Sequence, residues 1–247
     1  MKGVRLKWAL VVSTVLVATL FFNATIDQYS SFEDRKGPLF NGKLPESTPS
    51  FWYFEPIFQD LPIQGTTVTR IERIPGSKKF AILGKNGNIW SFDEQNPGET
   101  FTEVLDISEK MATTSEAGLT GMAFHPEFNK VSSDHFGEVF LFYTYQHLDS
   151  LPIYDRISRF SFDEKLSTII RSSEEILIQQ YDRHVNHNAG DLFFDNEGFL
   201  NISLGDEGNW FQNAQKINDR LFSGILRIDV DMDLSRSHPT RRLPQSD

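Results

Sequence analysis

The chain of 247 residues contains no cysteine. That excludes a disulfide scaffold, a thiolate nucleophile, Cys-ligated zinc, iron–sulfur clusters and a cysteine-linked lipid anchor. Positive charge is also scarce: 24 Lys plus Arg face 34 Asp plus Glu, a net charge of −10. Beyond the N-terminus no basic stretch occurs, so the chain is not expected to work by neutralising nucleic-acid phosphates. No long segment carries a sustained 3.6-residue apolar period, which argues against a helical fold. G-x-S-x-G, the phosphate-binding P-loop and G-x-G-x-x-G are all absent, so nucleotide chemistry and serine hydrolysis on familiar scaffolds lose support. Aromatic residues, by contrast, are plentiful: 22 Phe, 6 Tyr and 4 Trp. With an ordinary charge content they exclude a disordered chain.

The sequence divides into four expected regions. Residues 1–24 combine Lys2, Arg5 and Lys7 with an uncharged run at 8–22 (WALVVSTVLVATLFF), the pattern of a signal peptide or signal anchor. That run is short for a bilayer span, which takes about 20 residues. The basic flank predicts export of the rest, periplasmic or extracellular, with membrane contact only through this segment. Residues 25–62 carry Pro38, Pro45, Pro49, Pro56 and Pro62 and form a connector, since repeated proline interrupts helices and interior strands. Residues 63–233 make the globular part. Residues 234–247 are a polar tail containing Arg236, Arg241 and Arg242.

The globular part reads as short strands. Residues 68–74 (VTRIERI), 79–83 and 88–92 are apolar runs, the last two joined by Gly84-Lys85-Asn86-Gly87. An Asn-Gly pair between such runs is the strongest short-range hairpin signal. Further strands are expected at 121–124, 138–145, 155–162, 191–194, 199–204 and 224–230, with a turn at Asp195-Asn196-Glu197-Gly198. Residues 213–221 fit a short helix or a loop. The fold class is therefore all-β. Units recur every 40–60 residues, the spacing of propeller blades, although pattern alone also admits a sandwich.

Three stretches offer chemistry. Residues 116–128 place Glu116 and His125 around a glycine-containing strand, and His125 before a proline is expected to be structural. Residues 184–191 hold His184 and His187. A neutral imidazole takes a hydroxyl proton near neutral pH, and the pair could equally ligate a metal, although a third ligand is missing nearby. The loop Gly205-Asp206-Glu207-Gly208-Asn209 follows a strand and suits either a hard cation or a plain polar turn. Asp229, Asp231 and Asp233 fail the EF-hand pattern and are expected to form a solvated strand edge.

In this order the stretches resemble the glucose/sorbosone dehydrogenase family. The matching segments are residues 118–128 (GLTGMAFHPEF), Asn186 to Gly190, the Gly205-Asp206-Glu207-Gly208 loop, and 224–231 (GILRIDVD). The resemblance spans about residues 67–231. It implies a six-bladed β-propeller holding pyrroloquinoline quinone (PQQ) and Ca²⁺, and oxidation of an aldose-type sugar, with the electron acceptor left open. It implies His187 as general base, with Glu116, Asn186, Asp206 and Asn209 near the cofactor. Three departures are visible: Ala189 replaces a common glycine, Glu116 sets a carboxylate beside a polyanionic quinone, and Trp210 stands where a polar contact is usual. Six blades of about 45 residues need about 270, so the chain is expected to carry the N-terminal portion of that pattern, in which case catalysis is in doubt and the chain is a fragment or a non-catalytic binding module.

Overall fold

The computed structural model describes residues 57–58, 61–147, 150–188, 190–208, 221–233 and 235–236. The expected export segment, nearly all of the connector, Asn209, Trp210, the segment 213–220 and most of the tail lie outside the described residues.

Eleven strands are described, in three antiparallel meanders. The first comprises β1 (Val68–Arg73), β2 (Lys79–Gly84), β3 (Asn88–Asp93) and β4 (Thr102–Asp106). The second comprises β5 (Leu119–Phe124), β6 (Glu138–His147), β7 (Ser150–Asp163) and β8 (Thr168–Asp182). The third comprises β9 (Leu192–Phe194), β10 (Leu200–Leu204) and β11 (Gly224–Ile228). Helix is minor among the described residues: α1 (Pro97–Thr100) is one turn, opened by a proline suited to its first position. No helix among the described residues is long and apolar enough to cross a membrane.

The hairpins form where Gly can follow Asn or Glu. Gly87 N donates to the Gly84 carbonyl at 2.9 Å, and Gly198 N to the Asp195 carbonyl at 3.0 Å. Strands β4 and β8 are longer or additional to the sequence reading. In β8 the run Arg171 to Glu175 breaks the apolar alternation, and pairing with β7 supplies the order that local pattern lacks.

Strand β6 shows why the sheets stack. Both its faces are buried, so its period-2 alternation feeds two cores. Val139, Leu141 and Tyr143 face Leu83, Ile89 and Leu105 of the first sheet, with Leu119 and Phe160. Phe140 and Phe142 face Leu192, Leu200 and Ile202 of the third. Each fully buried large apolar side chain contributes roughly 1.5–3 kcal/mol.

The starts of β1, β5 and β9 lie side by side. Thr69 Oγ1 donates to the Leu119 carbonyl at 2.7 Å, and Arg70 pairs with Asp191. Gly121 allows the close approach of β5 to the segment leading into β9, because a Cβ there would overlap the Gly190 carbonyl oxygen. The loops that enter these three strands therefore converge at one end of the stacked sheets.

Candidate functional site

Three loops meet at that end: residues 112–118 before β5, 183–191 before β9, and 205–208 after β10. The loop after β10 is fixed from inside. Glu207 is fully buried (0 % exposed). Its Oε1 accepts from Arg183 N at 2.9 Å and Nε at 3.0 Å, and its Oε2 from Nη2 at 3.0 Å. A buried carboxylate needs such a charge-assisted partner. Gly205 then passes so close to the preceding loop that a Cβ would overlap the His187 carbonyl oxygen.

This geometry presents His187. Its ring is 52 % exposed, and its Nδ1 lies 2.7 Å from Asp206 Oδ1, whose side chain is 23 % exposed. Asp206 Oδ1 also accepts the Gly208 N–H at 3.0 Å. A carboxylate that accepts from Nδ1 fixes the proton on that nitrogen and leaves the Nε2 lone pair for another partner. His187 adopts φ +58°, uncommon for a residue with a side chain. Its backbone N–H is held by Glu116 Oε2 at 2.7 Å. Glu116 is itself positioned by its own N–H, which donates to the Val185 carbonyl at 3.0 Å.

Of the residues expected from sequence, His187, Asp206 and Glu116 come together. Asn186 lies beside them, with its side-chain amide packed over Gly208. Asn209 lies outside the described residues. His184 does not join the group as a ligand; its backbone N–H donates to Asp182 Oδ1 at 2.8 Å.

Beneath His187 lies a polar group that the sequence reading missed. Asn188 Nδ2 reaches Asp182 Oδ2 at 2.6 Å, the His184 carbonyl at 3.3 Å and Asp155 Oδ1 at 3.4 Å. Asp155, Asp182 and Asn188 are all buried. Burial first, and then the Asp182 carboxylate, push Asp155 far above the usual carboxylate range. Asp182 is raised as well, chiefly by burial. These residues come from β7, β8 and the loop before β9, so no local motif announces them.

A second cluster sits at the opposite ends of β1, β5 and β9. His125 is buried, as expected of a structural histidine, and its Nε2 lies 3.0 Å from Asp231 Oδ1. The expectation of a solvated edge for Asp229 and Asp231 fails. Their side chains are 6 % and 7 % exposed and are held by Arg236 at 2.8 and 2.5 Å. The chain past β11 folds back onto the sheet end, which the alternating Asp pattern could not convey. His135 Nδ1 lies 3.2 Å from Glu138 Oε2, so His125, His135 and Glu138 form a group of metal-ligating type. His125 Nδ1 accepts from Glu127 N at 3.0 Å, however, which places the ring proton on Nε2 and leaves no lone pair there for a metal. A cavity of about 890 Å³ opens at this end, lined by Arg70, His125, Phe194, Asp195, Asp231 and Arg236. It is remote from His187 in register, and its charged walls are already paired. The exposed imidazole of His187 is the better candidate for chemistry.

The chain is similar to human Hedgehog-interacting protein, 29 % identical over 171 residues, covering 64 % of this chain and 23 % of that protein. The mouse protein of that name is 28 % identical over 180 residues, covering 68 % and 25 %. The chain thus spans about a quarter of these relatives. Among solved structures it resembles the soluble aldose sugar dehydrogenase of Escherichia coli (TM-score 0.54, 18 % identity, 65 % of this chain and 43 % of that one). It also resembles a glucose dehydrogenase (TM-score 0.53, 18 % identity, 65 % and 46 %). At that identity the likeness concerns the fold. Residues 69–245 match the Glucose / Sorbosone dehydrogenase family, and the chain belongs to it.

Proposed function

We propose that the His187 end of this chain is the proton-abstracting part of a sugar dehydrogenase site on a β-propeller of the six-bladed type. The observation that carries this reading is the His187–Asp206 pair. Asp206 holds the proton on Nδ1, so Nε2 is the atom that accepts a proton from an aldose hydroxyl. As the ring becomes imidazolium, the same carboxylate stabilises its charge. Glu116 fixes the histidine backbone, and Gly205 with buried Glu207 fixes Asp206 relative to it.

The cofactor of this reading is PQQ with Ca²⁺, which when bound supplies the acceptor for the hydride that leaves the sugar carbon. The residues present fit the substrate side of that chemistry. For the quinone carboxylates the described residues near His187 offer little: Arg183 is bound to Glu207 and Arg70 to Asp191, which leaves Lys85, held by the Ser115 carbonyl. The further cations those carboxylates need are to be sought outside the described residues. Export, with residues 1–24 as signal or anchor, belongs to the same reading and is supported by Lys2, Arg5, Lys7 and the uncharged run after them.

A second reading is a non-catalytic extracytoplasmic binding module. Two relatives named for interaction with another protein favour it. So does the acidic setting of Glu116 and Asp206, which is unfavourable for a polyanionic quinone. Titration of the purified chain with PQQ plus Ca²⁺, followed by dye reduction with an aldose, separates the two. A quinone spectral shift with turnover that His187→Ala abolishes supports the dehydrogenase. Silence of well-folded protein in both assays rejects it in favour of the binding module.

A further inference from the structure

The buried group beneath His187 has a donor set that its protein neighbours do not satisfy. Thr144, Asp155 and Gln180 are aligned across β6, β7 and β8 in register, so their side chains share one face of the sheet. Thr144 and Asp155 are fully buried, and Asn188 nearly so. Yet Thr144 Oγ1, Asp155 Oδ2, Asn188 Oδ1 and Gln180 Nε2 have no hydrogen-bond partner. Buried polar atoms are normally paired, and four orphans in one group require an explanation.

Charge points the same way. Asp155 and Asp182 have no cationic partner among the described residues, while Glu207, close enough to act on both, is balanced by Arg183. Two carboxylates close enough to hydrogen-bond each other are left in a dry interior, where they need either a shared proton or a cation between them. Asn188 shows where the missing charge belongs. Its Nδ2 points at three oxygens, those of Asp182, Asp155 and the His184 carbonyl, while its own Oδ1 faces no donor. Rotating that amide by 180° puts its oxygen where Nδ2 stands, beside the oxygens of Asp182, Asp155 and the His184 carbonyl, and a cation bound among the four makes that cluster favourable.

We infer that Thr144, Asp155, Asp182, Asn188 and the His184 carbonyl form a buried site for a hard divalent cation, Ca²⁺ by its chemistry. All the donors are oxygens, which disfavours zinc and copper. Two carboxylates neutralise a divalent ion. A site with little room for water suits Ca²⁺ better than Mg²⁺, which dehydrates reluctantly. Gln180 borders the site as a donor and not as a ligand, its amide being oriented by Leu221 N, which donates to Oε1 at 2.9 Å. The site ties β6, β7 and β8 to the loop that carries His187. It serves the fold and needs no quinone.

The test uses the whole chain, stripped with chelator and free of quinone throughout, so failure of the dehydrogenase reading leaves its outcome intact. Melting temperature and calorimetric binding are measured against CaCl₂ for wild type, Asp155→Asn, Asp182→Asn and His187→Ala. Wild type and His187→Ala are expected to bind one Ca²⁺ and melt several degrees higher. Asp155→Asn, which removes the charge and keeps the shape, is expected to fold and to lose that response. Absence of any response in wild type would overturn the site in favour of a shared proton or buried water. A response that persists in both Asp→Asn variants would place the ion elsewhere and equally overturn it.

Discussion

Asp206 Oδ1 stands 2.7 Å from His187 Nδ1, although the two residues are 19 positions apart. The contact exists because β9 and β10 pair as a hairpin and return the loop after β10 to the loop before β9. One consequence concerns catalysis. In PQQ-loaded protein, His187→Ala is expected to lower kcat/KM for an aldose by about 10²–10⁴-fold, the usual contribution of a general base. Asp206→Asn should also lower it, because an amide that donates to Nδ1 shifts the ring proton to Nε2. Steady-state dye reduction measures both. An Asp206→Asn variant with unchanged kcat would remove Asp206 from the proposed mechanism.

Gly205 is the most sensitive backbone position of the site. A Cβ at this residue would overlap the His187 carbonyl oxygen, and backbone cannot yield as the end of a side chain can. Gly205→Ala is expected to cost at least about 3 kcal/mol, read as a lowered urea midpoint. A variant as stable as wild type would show that the two loops do not approach so closely.

Glu116 is expected to act on the loop more than on stability. Glu116→Gln retains an acceptor for the His187 N–H and removes a negative charge. It should leave the melting temperature unchanged and tighten PQQ binding, by relief of repulsion between carboxylates. Glu116→Ala exposes that N–H to water, a cost of about 1 kcal/mol or less, and should speed hydrogen exchange at His187. Equal quinone affinity in wild type and Glu116→Gln would separate Glu116 from the cofactor.

His125 predicts a pH dependence of stability. Burial holds its imidazole below the usual histidine range, opposed by Asp231 and Glu138 and assisted by His135. The unfolded chain therefore takes up a proton near pH 6.5 that the folded chain refuses until lower pH. Stability is full above that pH and declines as pH falls through this window, by no more than about 1.4 kcal/mol per pH unit for one proton. His125→Gln should flatten the decline in urea midpoints measured between pH 5 and 8. An unaltered slope would assign the effect to another group.

Much of the architecture is already written in local pattern. The apolar, β-branched and aromatic runs of β2, β3, β6 and β10, and the Asn-Gly and Glu-Gly turns, are properties of neighbours in sequence. Strand β8 was not legible, because its polar middle is ordered by pairing with β7 and by the Lys110–Glu174 ion pair. His187, Asp206 and Glu116 were legible as residue types in motifs. Their hydrogen bonds were not, since each joins segments from different loops.

An all-β chain, its hairpin turns and the motif order of its family follow from local sequence, because strand propensity and turn chemistry depend on residues a few positions apart. Which atoms of those motifs meet depends on the packing of the folded chain. It set His187 Nδ1 against Asp206, turned Asp231 from an expected solvent edge into the buried partner of His125, and brought Asp155 to Asp182 and Asn188. Contacts of that kind follow from the stacking of separate sheets, where low dielectric and excluded water turn a change of neighbour into a change of charge state.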